Sequence, residues 1–463
     1  MRVVIVGGGP AGYVAAIRAS QLGLNVTLIE EDKYLGGTCL HRGCIPTKVL
    51  LHSASLLRAV KVSKEFGLTG VNDPSLDLTK VQERKRSVVR KLALGIEGLM
   101  KKRGVEVIHG RARLCGLHKL EVDGSVYEFD KIILATGSRA AAPAVFGVDG
   151  EQVVTSDHLL NLEKIPQSMI VVGAGAVGME LASFYSTLGT KITIVDMADR
   201  LLPLEDEEIS AEMQRVCRKS GWKTYLGVKI NKVEKGDEVT LYGENLDPEG
   251  IKAEILLVAA GRRANLEDLG LESVGLQVNR QGRLEVDSFY RTAVEDIYAV
   301  GDIIPSPQLA HMASHEAILA VEHIAGLRKE AEESCFCPAA TYSYPEVASV
   351  GLTEAEAKKR GLDIVVGKFP LAALGKAAIL GESAGFYKVV ARAEDHLLLG
   401  VHIIGVQASE LISEATIALK KKATLEDLAA TIHAHPALAE SCHEAVEHAL
   451  GTPLNFMPRE SRK

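Results

Sequence analysis

Apolar runs of four to six residues recur along the chain, and each is closed by a glycine. Val3-Val4-Ile5-Val6 runs into Gly7, and Met169-Ile170-Val171-Val172 into Gly173. Ile132-Ile133-Leu134-Ala135 leads to Thr136-Gly137-Ser138, the run from Ile255 to Ala260 leads to Gly261, and Ile297-Tyr298-Ala299-Val300 leads to Gly301-Asp302. Runs this short and apolar read as strands buried on both faces, as in a parallel sheet covered by helices. Two of them open a longer repeat of strand, glycine turn, helical stretch, second strand and acid. The first passes through Gly7-Gly8-Gly9-Pro10-Ala11-Gly12 and ends at Asn25-Val26-Thr27-Leu28-Ile29-Glu30. The second passes through Gly173-Ala174-Gly175-Ala176-Val177-Gly178 and ends at Lys191-Ile192-Thr193-Ile194-Val195-Asp196. In both, the acid falls 23 residues after the first glycine. Beyond about residue 338 the texture changes to short alternating strands such as Tyr387 to Ala391, then helices from Glu410 onward. A separate α+β unit is predicted there, starting between Cys335 and Pro345.

Composition narrows the picture only a little. A chain of 463 residues with 47% apolar and 24% charged residues suggests about three ordinary globular domains. A net charge of −7 argues against non-specific nucleic-acid binding. The longest basic run, Lys420-Lys421-Lys422, reads as a solvated helix end. No run of about 18 apolar residues is present, so no membrane span is predicted. The first strand follows Met1 directly, which leaves no room for a targeting peptide, and a cytoplasmic protein is expected. Seven cysteines at low density do not make a disulfide framework. Cys115, Cys217 and Cys442 are expected to be isolated, buried and apolar in role.

The two repeats carry ligand chemistry. In G-x-G-x-x-G the first glycine permits the tight turn, the second lets backbone approach a pyrophosphate, and the third allows close helix–strand packing. The helix N-terminus then offers unpaired N–H groups to phosphate. Glu30 and Asp196 stand where an adenosine ribose would be bound. An acid at 196 repels a 2′-phosphate, which favours NAD over NADP. Arg200, four residues on and beside Asp199, is expected in a salt bridge or in solvent.

Cys39 and Cys44 carry redox chemistry or metal. They lie in Gly36-Gly37-Thr38-Cys39-Leu40-His41-Arg42-Gly43-Cys44-Ile45-Pro46-Thr47-Lys48. Gly43 allows a tight return in the loop between the sulfurs, and a helix is expected after Pro46. Cys44 would sit near its N-terminus, where a thiolate is stabilised, with Lys48 one turn further on. Zinc is the competing reading. It needs more ligands, and the nearest, His41 and His52, close a tetrahedral site poorly. Cys335 and Cys337, one residue apart, read as packing rather than as a disulfide.

Taken together, and occurring along the chain in the family's order, the cysteine motif, both glycine motifs, Ala135-Thr136-Gly137-Ser138, Gly301-Asp302 and Thr431-Ile432-His433-Ala434-His435-Pro436-Ala437-Leu438-Ala439-Glu440 resemble the pyridine nucleotide–disulfide oxidoreductases over nearly the whole chain. Within that family the resemblance is to the dihydrolipoyl dehydrogenases. It implies an α/β fold with two Rossmann-like dinucleotide-binding domains plus a C-terminal α+β dimerisation domain. Residues 1–145 and 269–337 would build the FAD domain, 146–268 the NAD domain and 338–463 the interface of a homodimer. The resemblance places FAD against Gly7, Gly9, Gly12, Glu30, Thr38, Lys48, Thr136, Gly137, Ser138, Asp302, Ala310 and His311. NAD falls to Gly173, Gly175, Gly178, Glu180, Asp196 and Gly261. Cys39 and Cys44 become a redox-active disulfide, Lys48 pairs with Glu180, and His435 becomes a base oriented by Glu440. The partner implied is a lipoyl-bearing protein of a 2-oxoacid dehydrogenase complex, the glycine cleavage system or a dedicated lipoyl carrier.

Read from the residues alone, Pro436 opens a helix with Leu438, Ala445, Val446 and Ala449 on its apolar face, and His433 is structural. Three positions depart from the family pattern. His41-Arg42 replaces Asn-Val, which puts a cation between the cysteines and is expected to affect redox balance or substrate approach. Ala437 and Ala439 replace hydroxyl residues. Asp196 replaces the commoner glutamate.

Overall fold

A computed structural model describes residues 1–331 and 336–457. Its first sheet has five parallel strands in the order Ile297–Ala299, Lys131–Leu134, Arg2–Val6, Asn25–Glu30, Glu106–His109. The second is parallel as well, in the order Lys223–Tyr225, Lys191–Val195, Ser168–Val172, Ile255–Val258, Val153–Thr155. In each the glycine-tipped strand lies at the centre. Its repeat partner is on one side and the strand that runs to Ala135 or Ala259 is on the other. Each sheet also has a three-stranded antiparallel companion, Ala112–Gly116 to Ser125–Glu128 in one case and Ile230–Glu234 to Ile251–Ala253 in the other. The repeat legible in the sequence therefore extends over a whole layer of architecture.

Backbone contact explains why the glycines stand where they do. Gly7 and Gly173 have φ of +103° and +110°, and a Cβ on either would lie 2.3 Å from the carbonyl oxygen of Ala135 or Ala259. A Cβ on Gly12 would meet the carbonyl oxygen of Gly7 at 1.7 Å, and one on Gly178 that of Gly173 at 2.0 Å. Helices Pro10–Gln21 and Ala176–Thr187 thus start directly against the ends of their strands. Both aim their free N–H groups at the carboxyl edge of the sheet, where open α/β sheets bind ligands.

The C-terminal unit is a five-stranded antiparallel sheet in the order Ala339–Thr341, Glu346–Gly351, Leu398–Gly405, Phe386–Arg392, Ile364–Pro370. Helices Ala408–Lys420 and Glu440–Ala449 cover it, and Lys420-Lys421-Lys422 is the exposed helix end expected. Its core is its own, yet Val347, Phe386 and Ile404 pack into the cluster that also contains Leu50, Val171 and Tyr185.

Several expectations need correction. The segment between the cysteines is a short helix, Gly37–Arg42, and not a loop. The next helix begins at Cys44 itself, two residues before Pro46. The C-terminal helix begins at Glu440 and not at Pro436, because the carboxylate of Glu440 folds back to accept from Ala437 N–H, and residues 435–439 form turns. Cys115 is exposed at the end of an edge hairpin, whereas Cys217 and Cys442 are buried as expected. Cys335 lies outside the described residues.

A buried ion cluster joins the second sheet's domain to the C-terminal one. Lys388 Nζ, 1% exposed, meets Asp206 at 2.8 Å, Glu208 at 3.0 Å and Glu354 at 2.7 Å. Burial opposes ionisation of Asp206 and Glu208, but their hydrogen bonds to Lys388, and to Lys368 for Glu208, outweigh it and hold both below the usual carboxylate range. Glu354 is lowered by Lys358 and then Lys388. Burial likewise opposes the Lys388 charge, and the carboxylates override it and raise its pKa. The carboxylates' contribution to stability is therefore present at neutral pH and lost as pH falls through their depressed values. That of Lys388 is lost only on the alkaline side. Lys388→Ala, which strands these carboxylates, should lower unfolding free energy by about 3–5 kcal/mol at neutral pH. The loss should shrink in acid, and chemical denaturation at pH 7 and pH 4 measures both. A pH-independent loss contradicts the account.

Candidate active site

One cavity of about 950 Å³ opens at the carboxyl edge of the first sheet. Gly7 and Gly9 form its floor, with Glu30 at the end of the second strand and Thr136, Gly137 and Ser138 on the neighbouring turn. Thr38, Cys39, Cys44 and Lys48 enter from the two helices that follow Gly36. Asp302, Ala310 and His311 close the far side, while Ala176, Val177 and Glu180 reach in from the first turn of the second repeat's helix. Gly12 lies behind Gly7 as a packing residue.

The acids of the two repeats make identical bonds. Glu30 accepts from the N–H of Gly8 at 2.6 Å and of Asp32 at 2.8 Å. Asp196 accepts from the N–H of Ala174 at 2.5 Å and of Ala198 at 2.8 Å. Burial raises the pKa of Glu30. Each acid is thereby fixed beside its glycine loop with lone pairs left for a ligand's hydroxyls. Gly173, Gly175, Gly178 and Gly261 gather around the second loop, outside the large cavity, and a Cβ on Gly175 or Gly261 would meet nothing within 4 Å. The second loop therefore has the open approach a pyrophosphate needs. Arg200 is tied to Glu207 at 3.1 Å and to the carbonyl oxygen of Pro203 at 3.0 Å, in the salt bridge expected of it.

The cysteines are both thiols, with the Cys39 sulfur hydrogen-bonded to Cys44. That bond, then the Lys48 charge, brings Cys44 down to about 7 against the cost of burial, while the same bond and burial push Cys39 up. Helix geometry adds to this, since Cys44 is the first residue of Cys44–Val62 and Lys48 lies one turn on. Lys48 Nζ donates to both oxygens of Glu180, at 2.8 and 2.7 Å, and lies 4.5 Å from the Tyr342 ring centre. Arg42 does not act on the sulfurs. Its guanidinium donates to Asp32 at 2.6 Å at the Glu30 end of the cavity, which redirects the expectation about a cation between the cysteines.

Sequence reasoning missed Arg262, Glu316 and Tyr342. Arg262 donates to the Ser138 hydroxyl and carbonyl, both at 2.7 Å, and lies 3.6 Å from Asp302, to which Ser138 also donates. Its signal was its place directly after Gly261. Glu316, fully buried, accepts from Gly301 N–H at 2.6 Å and so shapes the Asp302 turn. Tyr342 carries no signal that its sequence neighbourhood could disclose.

His435 is not brought to the cysteines within one chain. Its imidazole is 81% exposed, away from the cavity, and Nδ1 lies 2.8 Å from Glu440 Oε1. Burial alone would raise Glu440, but the His435 contact holds it below its usual range. The arrangement keeps Nε2 free toward solvent or a second molecule.

A profile described as pyridine nucleotide-disulphide oxidoreductase matches residues 1–317, and the dimerisation domain of the same family matches residues 337–446. A dihydrolipoyl dehydrogenase of Bacillus subtilis is 44% identical over 474 aligned residues, covering 98% of this chain and 99% of the relative. One from Geobacillus stearothermophilus is 41% identical, with 98% and 97% covered. Among solved structures, LpdA from Mycobacterium tuberculosis superposes with a TM-score of 0.89 at 28% identity, covering 97% of this chain and 99% of that one. The HOCl-induced flavoprotein disulfide reductase RclA from Escherichia coli gives 0.87 at 27% identity, with 96% and 99% covered.

The cysteine geometry sets a measurable acidity. In the reduced protein, alkylation by iodoacetamide followed by mass spectrometry should show Cys44 reacting with a midpoint near pH 7. Lys48→Met should move that midpoint upward. Equal midpoints at Cys39 and Cys44, near the ordinary thiol value of about 8.5, contradict the assignment.

Proposed function

The chain belongs to the pyridine nucleotide-disulphide oxidoreductase family and oxidises dihydrolipoyl groups with FAD and NAD, and we propose that its residues divide this chemistry as follows. Residues 1–145 and 269–337 hold FAD, a division supported by the pairing of Ile297–Ala299 with Lys131–Leu134 in one sheet. Gly7, Gly9 and Gly12 open the pyrophosphate site and Glu30 takes the ribose. Thr38, Thr136, Gly137, Ser138, Asp302, Ala310 and His311 line the remainder. Residues 146–268 hold NAD through Gly173, Gly175, Gly178, Asp196 and Gly261. The observation that carries the reading is that one cavity contains the cysteine pair, the Lys48–Glu180 ion pair and the open edge of the first glycine unit, with the second unit's helix at its wall.

The thiol chemistry belongs to this chain's own residues. His435 accepts a proton from the dihydrolipoyl thiol, with Glu440 fixing its tautomer and stabilising the cation. The substrate thiolate attacks Cys39, the Cys39–Cys44 bond breaks, and Cys44 leaves as the better-stabilised thiolate. The second substrate thiol displaces Cys39, which closes the lipoyl disulfide and leaves the enzyme dithiol two electrons richer. Lys48 holds positive charge beside Cys44, and Glu180 holds Lys48. FAD held by these residues would supply the two-electron link between the dithiol and NAD. His435 works across the interface of a homodimer built by residues 338–463, a reading supported by its exposure and its remoteness from the cavity in one chain. The physiological partner is a lipoyl-bearing protein, from a 2-oxoacid dehydrogenase complex, the glycine cleavage system or a dedicated carrier. None of the described helices is long and apolar enough to cross a membrane, in keeping with a cytoplasmic enzyme.

Three outcomes follow from these assignments. kcat/KM for NADH should exceed that for NADPH, since Asp196 repels a 2′-phosphate and Arg200 is already paired; equal or reversed values measured under one condition contradict the Asp196 assignment. His435→Gln should retain FAD yet lose lipoamide turnover by about 10²–10⁴-fold. Mixing His435→Gln with Cys39→Ser under subunit exchange should restore activity, because heterodimers contain one intact site. Verified exchange without recovery shows that these residues do not meet across subunits.

A further inference from the structure

A group of potential metal donors lies behind the loop that carries His435. Glu414 comes from helix Ala408–Lys420, Cys442 from helix Glu440–Ala449, and His433 from the segment between them. A carboxylate oxygen, an imidazole nitrogen and the sulfur all lie within 4.8 Å of one another. His433 Nε2 is 2.8 Å from Glu414 Oε1, the His433 side chain is 8% exposed, and Cys442 is 1% exposed. The other imidazole nitrogen, Nδ1, is buried with no hydrogen-bond partner among the described residues. The Glu414 carboxylate only accepts, so this contact keeps the proton on Nε2 and leaves the Nδ1 lone pair unused.

We propose that Glu414, His433 and Cys442 form a binding site for a borderline divalent cation of the zinc class, which ties the His435 loop to two helices. Donor chemistry selects the ion. One thiolate, one imidazole and one carboxylate suit Zn²⁺ or Co²⁺ and not Mg²⁺ or Ca²⁺, which demand oxygen ligands. Charge balance points the same way, since one carboxylate and one thiolate neutralise a divalent ion in a place where net charge is costly. The Cys442 sulfur is buried beside the other two donors. Binding forms the metal–sulfur bond and releases one proton to solvent, with no change of oxidation state. Water completes the coordination.

Co²⁺ added to the oxidised holoenzyme is the test, because the Cys39–Cys44 disulfide then offers it no thiolate. Tetrahedral cobalt absorbs in the red, where oxidised flavin does not. The expected result is one equivalent per subunit, a red band, and displacement of both by Zn²⁺. Cys442→Ala should weaken binding at least tenfold and remove the band, and His433→Asn should do the same should the first variant fold poorly. A Cys39→Ser/Cys44→Ser protein should keep the band. No stoichiometric binding to wild type, or equal binding by wild type and Cys442→Ala, overturns the proposal.

Discussion

Glu180 is where three parts of the chain meet. It accepts two hydrogen bonds from Lys48, on the helix that begins at Cys44, and a third from the Tyr342 N–H at 2.9 Å, in the C-terminal unit. It projects from the first turns of the second glycine unit's helix, with a side chain 7% exposed. A carboxylate so far from water is tolerable only with such donors. The same bonds locate Lys48, and through it the start of the helix on which Cys44 sits. The position of the second repeat against the cavity and the seat of Tyr342 over the ammonium both depend on one buried anion. A neutral amide at 180 could accept one of Lys48's bonds but would leave the ammonium's charge beside the cysteines uncompensated.

The two repeats show one local design set in two different surroundings. Glu30 and Asp196 reach equivalent N–H donors in equivalent loops, so the shorter aspartate loses no anchor. What differs is depth. Glu30 is buried and faces an enclosed cavity, whereas Asp196 is partly exposed on an open edge. An enclosed site suits a cofactor retained through turnover, and an open one suits a nucleotide that must leave. The difference comes from what covers each sheet, since the cysteine helices fold over the first loop and no such cover follows the second.

The fold was legible because its determinants are local. Apolar runs closed by glycine, a fixed spacing to an acid and a change of texture near residue 338 all act within about thirty residues. The cysteine pair was legible as a motif for the same reason, whereas the Lys48–Glu180 contact, across 132 positions, was reached only through the family resemblance. What stayed hidden is long-range. Arg262 reaches Ser138 across 124 positions, and Tyr342 reaches Glu180 across 162. No periodicity records such contacts. The errors in local structure have a common cause as well. Proline was read as opening a helix at 46 and at 436, but Cys44 begins one earlier and the folded-back Glu440 carboxylate delays the other. Cys115 was taken as buried by residue type, although its alternating strand puts it on the solvent side.

The exposure of His435 is best understood from the requirements of the cysteine pair. Cys39 must be reachable by a bulky thiol, so the side of the cavity that presents it cannot be sealed by the same chain. An imidazole built into that wall would obstruct the approach it has to serve. His435 stands instead on an exposed loop with Nδ1 against Glu440, which suits its proposed role across a homodimer interface. A closed two-fold dimer satisfies this twice with one interface, since each copy gives its loop and receives its partner's. The exposed Ile432, at 96%, stands three residues before His435. An exposed His435 remote from the cysteines in one protomer is what the proposed transfer across subunits requires.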